Sequence, residues 1–214
     1  VVALTVFAPA VGAAAQSTTF DVGSYVVPMD TDYQNTGMLR AYGLVYRLLR
    51  AGVPVSWVIE PTKPHNGVDF TTTARDHRTG AAIASHGYRG GPFVVASSDV
   101  AAARPIVDAW QALYAAVAVH ETTATFDGFV SRRLVAAPTI AVFADGNETI
   151  AFGYMNAAGI PDSADRTWPA ARLAACGYTG RPDIMCETMV AGSMTATNDG
   201  TLFDAAGTPV YCQM

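Results

Sequence analysis

Apolar and polar positions change rhythm in blocks along this chain, most clearly between residues 24 and 59. An apolar strand, Ser24–Met29, opens into a polar loop, Asp30–Thr36, and a helical pattern follows over Gly37–Ala51. Within that pattern Leu39, Tyr42, Tyr46 and Leu49, joined by Val45 and Leu48, recur at three- and four-residue spacing, which marks one buried face. Thr36 is the expected N-cap, and Gly52 the expected stop, because glycine reaches the left-handed conformation that ends helices. Val53–Ile59 then reads as a second strand. A strand, helix and strand in succession imply a right-handed parallel crossover, and open parallel sheets bind ligands beyond the carboxyl ends of their strands. The Asp30–Asn35 loop is expected there.

The alternation continues. Glu60–Gly80, with Pro61, Pro64, Gly67 and Gly80 among polar residues, reads as a long loop. Strands are expected at Ala81–His86, Pro92–Ala96, Val117–His120 and Thr139–Ala144, and helices at Asp99–Tyr114, Phe126–Leu134 and Glu148–Ala158. Beyond Ile160 the periodicity fades into Pro- and Gly-containing turns. The expected architecture is a three-layer α/β domain over residues 16–160, with a doubly wound, mainly parallel sheet, and an irregular extension over residues 161–214.

Composition narrows the partners. Half of the 214 residues are hydrophobic, enough for a sizeable core, and 14% are charged with a net charge of −5. Arg132-Arg133 is the one adjacent basic pair, so nucleic acid is not an expected partner. Val1–Ala15 is apolar and ends in Ala13-Ala14-Ala15 before Gln16, the form of a signal-peptidase site, so the chain is expected to begin inside a signal peptide and to be exported to a periplasmic or extracellular space. A buried first strand or helix is the alternative. The run is too short to span a bilayer, and no stable membrane insertion is expected after cleavage. Cys176, Cys186 and Cys212 lie near the carboxyl end, where either one disulfide or three reduced thiols fits.

Three polar loops are expected to converge at one sheet edge: Asp30–Asn35, His86–Gly91 and Asp145–Glu148. Asp30 and Asp32 form an Asp-x-Asp that can approach one hard cation, although the commoner role of such a pair is to cap a loop and face water. In Gly87-Tyr88-Arg89-Gly90-Gly91-Pro92, backbone amides and the forked Arg89 guanidinium suit an anion and Tyr88 offers a stacking surface, against the plainer reading of a turn with a solvated arginine. His86 is a candidate base or a structural hydrogen-bond partner. The candidate ligand-binding residues are therefore Asp30, Asp32, Gln34, Asn35, His86, Tyr88, Arg89, Gly90, Gly91, Asp145, Asn147 and Glu148. His65, His77 and His120 show no metal spacing, and no metal ligands or cofactor are assigned. No GxSxG or GxCxG nucleophile elbow occurs. Asn147-Glu148-Thr149 fits a glycosylation sequon.

Four runs also carry a resemblance. Val27-Pro28-Met29-Asp30, Leu39-Arg40-Ala41-Tyr42-Gly43-Leu44-Val45-Tyr46, Val55-Ser56-Trp57-Val58 and Tyr88-Arg89-Gly90-Gly91-Pro92-Phe93 resemble uncharacterised bacterial secreted proteins, some labelled asparagine synthetase B. Their domain is similar in fold to class I glutamine amidotransferases, which implies a flavodoxin-like sheet. The similarity is best over residues 24 to about 96, and Asp145–Glu148 with Ala151-Phe152-Gly153-Tyr154 also fits it. The amidotransferase nucleophile has no counterpart here. The expected function is binding of a small polar ligand without catalysis; the alternatives are an exported hydrolase using carboxylates and His86, or a structural module of a larger surface protein.

Overall fold

The computed structural model describes residues 16–144, 147–173, 178 and 180–186. The expected signal segment, Asp145, and the cysteine pairing lie outside them. Contacts divide the chain into two compact units, one built from residues up to Met38 and Leu48–Ala136, the other from Leu39–Arg47 and residues from Ala137 onward.

The first unit is built on strands β1 (Gln16–Phe20), β2 (Tyr25–Val27), β3 (Val55–Val58), β4 (Phe70–Asp76), β5 (Ala82–Tyr88), β6 (Phe93–Val95), β7 (His120–Thr122) and β8 (Phe126–Leu134). They form one eight-stranded sheet in the order β1-β8-β3-β6-β2-β7-β4-β5. Every adjacent pair is antiparallel. The sheet is strongly curled into a half-barrel.

Chain length explains the curl. β7 and β8 are joined by only Thr123, Ala124 and Thr125, yet four inter-strand steps separate them in the sheet. In a flat sheet those steps measure about 19 Å. The four residue steps from Thr122 to Phe126 reach at most about 14 Å when fully extended. The ends of the two strands must therefore be drawn together across the concave side. The β1–β2 link faces the same demand and runs beside it, with Gly23 N donating to the Thr122 carbonyl and Thr122 Oγ1 to that of Asp21.

Curling brings inward-facing side chains into one cluster: Phe20, Val26, Val58, Phe70, Tyr88, Val94 and Phe126, from seven of the eight strands. The Phe70 and Phe126 ring centroids stand 4.3 Å apart, although five inter-strand steps, about 24 Å if flat, separate their strands. Phe20 stacks on Phe126 at 5.0 Å and Phe70 on Tyr88 at 4.9 Å. Each stacked pair adds roughly 1 kcal/mol beyond the area it buries. Gly128 leaves room on β8, since a Cβ there would lie 2.7 Å from Val58 Cγ1.

The expected doubly wound parallel sheet, and with it the flavodoxin-like and glutamine amidotransferase-like class, is overturned by this topology. The local units that suggested it are nevertheless present. Helix α1 (Thr31–Gln34) and helix α2 (Met38–Arg50) connect β2 to β3, and helix α3 (Val100–Leu113) connects β6 to β7. β2 and β3 run in the same direction because both are antiparallel to β6, which lies between them. β6 and β7 likewise flank β2. The two crossovers interlock, and each places a strand inside the other's gap.

Other expectations are corrected locally. Phe126–Leu134 is a strand rather than a helix, because its period is two at the start: Phe126 and Gly128 are buried and Asp127 is exposed. The Glu60–Gly80 loop contains β4, whose alternation rests on threonines and was masked by their polarity. The buried stripe of α2 runs through Ala41, Leu44, Val45, Leu48 and Leu49, leaving Leu39 and Tyr42 40% and 46% exposed, because small Ala41 completes a face that large rings had drawn elsewhere.

The second unit pairs strand β9 (Val142–Ala144) with β10 (Ile184–Cys186) in parallel, beside helix α4 (Glu148–Ala158). Its core gathers Val142, Phe152, Trp168, Tyr178 and Ile184. No helix among the described residues is long and apolar enough to cross a membrane.

Because Phe126 joins two stacks at the centre of the curl, Phe126→Ala is expected to lower stability by about 3–5 kcal/mol in denaturant unfolding. Leu113→Ala, at a side chain 73% exposed, is expected to change it by less than about 0.5 kcal/mol.

Candidate functional site

The concave face carries polar groups where β5 approaches the end of β2. Side chains on β5 point to alternate faces, so His86 lies on the same side as Tyr88, which belongs to the inner cluster. Beyond Val27 the chain leaves the sheet through Pro28 and Met29 to Asp30, which N-caps α1: Asp30 Oδ1 accepts from Asp32 N at 3.2 Å. The expected Asp30–Thr36 loop thus contains a short helix. The other carboxylate oxygen of Asp30, Oδ2, stands 3.2 Å from His86 Nε2. Both side chains are mostly enclosed, at 8% and 16% exposure, while Asp32 is exposed.

One ligand atom each from Asp30, Asp32 and His86 lies within 4.8 Å of the other two. Two donors about 2.1 Å from one ion stand about 3.0 Å apart at a right angle and about 3.4 Å apart at the tetrahedral angle. The Asp30–His86 separation falls between those values. Opposed donors stand at most about 4.2 Å apart, and Asp32, exposed on α1, has the room to adjust to that limit. Two carboxylates and one imidazole form a mixed donor set suited to first-row divalent ions, and three protein ligands leave positions open for water or a second ligand.

Aromatic rings wall the site. Tyr33 meets His86 edge-on at 4.8 Å and His120 at 4.4 Å, and Tyr88 meets His86 edge-on at 4.8 Å. Below them the fully buried His120 shares a hydrogen bond between its Nδ1 and Tyr88 Oη at 2.8 Å, and its Nε2 has no partner. Burial pushes the His120 imidazole down to about 4, against the pull of Asp76, so it is neutral at pH 7. Burial and, after it, the charge of Asp30 push the Tyr33 phenol up. Burial also raises Tyr88.

A second group holds the turn that follows β5. Gly90, at φ +75°, sits where a Cβ would be 2.5 Å from the Met29 carbonyl, so only glycine lets the turn lie over the end of β2. Asp69, fully enclosed, accepts from Gly91 N and Glu60 N, both at 2.9 Å, and pairs with Lys63 Nζ at 2.5 Å. Trp57 Nε1 donates to the Gly91 carbonyl at 2.9 Å.

Of the sequence-derived candidates, Asp30, Asp32 and His86 are brought together. Gln34 is structural: buried, it donates to the Ala118 carbonyl and accepts from Ala118 N. Tyr88 is fully buried in the core rather than open for stacking. Arg89 and Asn35 are exposed. The Gly91 amide is taken by the Asp69 carboxylate rather than left open for a ligand. In the second unit Glu148 is buried and accepts from Tyr178 Oη at 2.9 Å, with Arg172 Nε 3.4 Å away, while Asn147 precedes α4 and is exposed. Sequence reasoning missed Tyr33, Asp69 and His120; the one signal for Tyr33 was its place inside the Asp-rich run.

His120 gives the site region an acid-sensitive foundation. Its folded-state value lies below the ordinary 6.5, so the unfolded chain binds the extra proton first. Its contribution to stability is complete above about pH 6.5 and is lost as pH falls toward 4, by roughly 3 kcal/mol. Urea unfolding followed between pH 7 and 4 is expected to show that decline, and His120→Phe to flatten it. Compared with known proteins, the chain matches no family model, no curated protein and no solved structure.

Proposed function

We propose that the curled sheet is an exported ligand-binding domain that holds a first-row divalent cation, Zn²⁺ or Mn²⁺, through Asp30, Asp32 and His86. The cation's remaining positions would take a small polar ligand bearing a carboxylate or similar anionic group. One observation carries this reading: carboxylate and imidazole donors from α1 and β5, 56 residues apart in the chain, come within coordinating distance of one another on a concave face. The apolar Val1–Ala15 segment, ending in small residues, supports export.

The Asp30–His86 contact also favours a second reading, a hydrolase in which Asp30 orients His86 as a base. The two readings part at turnover. The hydrolase requires cleavage of an ester or glycoside that disappears in His86→Gln, whereas the binding domain gives saturation without product.

Calorimetric titration of the metal-stripped protein with Zn²⁺, Mn²⁺ and Ca²⁺ is the test. One equivalent of Zn²⁺ or Mn²⁺ is expected to bind more tightly than Ca²⁺, because one donor in three is an imidazole. Free metal at a hundred times Kd is expected to raise folding stability by about 2.7 kcal/mol. Asp30→Ala and His86→Ala are each expected to weaken binding at least tenfold. Equal affinity in parent and variants would remove the proposal.

A further inference from the structure

The chain has a single lysine, and its placement is unusual. Lys63 Nζ stands 2.5 Å from Asp69 Oδ1, with the Asp69 side chain fully enclosed and that of Lys63 only 18% exposed. Asp69 is moreover held at both oxygens by backbone amides, Glu60 N on Oδ1 and Gly91 N on Oδ2, each at 2.9 Å. Three segments, the end of β3, the start of β4 and the turn before β6, thus fix one carboxyl group beside one amine.

We infer that Lys63 and Asp69 are the partners of an intramolecular amide cross-link, formed by the chain on itself. This goes beyond the cation site and does not depend on it. In the first step one proton passes from the Lys63 ammonium to the Asp69 carboxylate across their contact. The nitrogen lone pair then attacks Asp69 Cγ. The two backbone donors polarise the carboxyl group and stabilise the oxygen charge of the tetrahedral intermediate, as donors fixed in advance do in acyl transfer. Collapse breaks one Cγ–O bond, the oxygen leaves as water with the second amine proton, and the Nζ–Cγ bond remains. No oxidant, reductant or co-reactant enters. Permanent juxtaposition replaces an encounter in solution, which gives the reaction its effective concentration. The residual exposure at Lys63 is the exit for water. The product closes the 63–69 loop, between β3 and β4, covalently.

Mass spectrometry of the denatured protein tests this. The parent is expected to be lighter than its sequence by one water, and Lys63→Arg, which keeps a cation but cannot form the amide, to show its full mass. Trypsin leaves residues 51–75 as one peptide, since Lys63 precedes Pro64. That peptide is expected to carry the missing water, to give no fragments from backbone breaks between Lys63 and Asp69, and to resist hydroxylamine, which opens a succinimide. Folded parent protein at its full mass, both fresh and after prolonged incubation, would overturn the inference and leave an ion pair alone. That result stands whether or not Lys63→Arg folds.

Discussion

The constraint on which the rest of the first unit depends is the three-residue link between β7 and β8. It is too short to cross a flat sheet, and it ties strands at opposite sides of the order β8-β3-β6-β2-β7. The curl that satisfies it creates an interior, and the interior explains the aromatic residues: Phe20, Phe70, Phe126 and Tyr88 fill space that a flat sheet would not enclose. The same curl brings His86 on β5 close enough to the chain leaving β2 for Asp30 and His86 to meet.

Asp30 has two duties, and they explain its rigidity. One carboxylate oxygen caps α1 and the other faces His86, so the group is fixed before any ligand arrives. Fixing the donors in advance lowers the ordering cost of binding. Asp32 is the adjustable member, exposed and able to swing. Beneath them, His120 is neutral because burial removes the solvation an imidazolium needs, and Tyr88 binds its Nδ1. The site thus combines a firm floor with one exposed ligand, an arrangement in which most of the geometry is set by the sheet and the rest by a surface side chain.

Much of the local structure was legible in the sequence. The strands at Ser24–Met29, Val53–Ile59 and Pro92–Ala96, and the helices at Gly37–Ala51 and Glu148–Ala158, stand where the patterns place them. The sheet's direction was not legible, because a strand–helix–strand unit looks the same whether its strands touch or admit a third between them. Here β6 enters between β2 and β3, and nothing in residues 24–59 records it. β4 was hidden by its threonines and β8 by mixed spacing. For the site, polar residues at the ends of strands pointed to Asp30, Asp32 and His86, but their meeting follows from the curl. Gln34 shows the opposite failure: a polar side chain in a promising run is spent on Ala118 backbone groups.

The central claim is that the curl makes one cation seat from α1 and β5. Anomalous diffraction from crystals grown with Zn²⁺ tests it most directly. The account predicts one strong peak about 2.1 Å from an Asp30 oxygen and from His86 Nε2, with Asp32 rotated inward to join them. A peak bound by other residues, or none between Asp30 and His86 at saturating Zn²⁺, would contradict it.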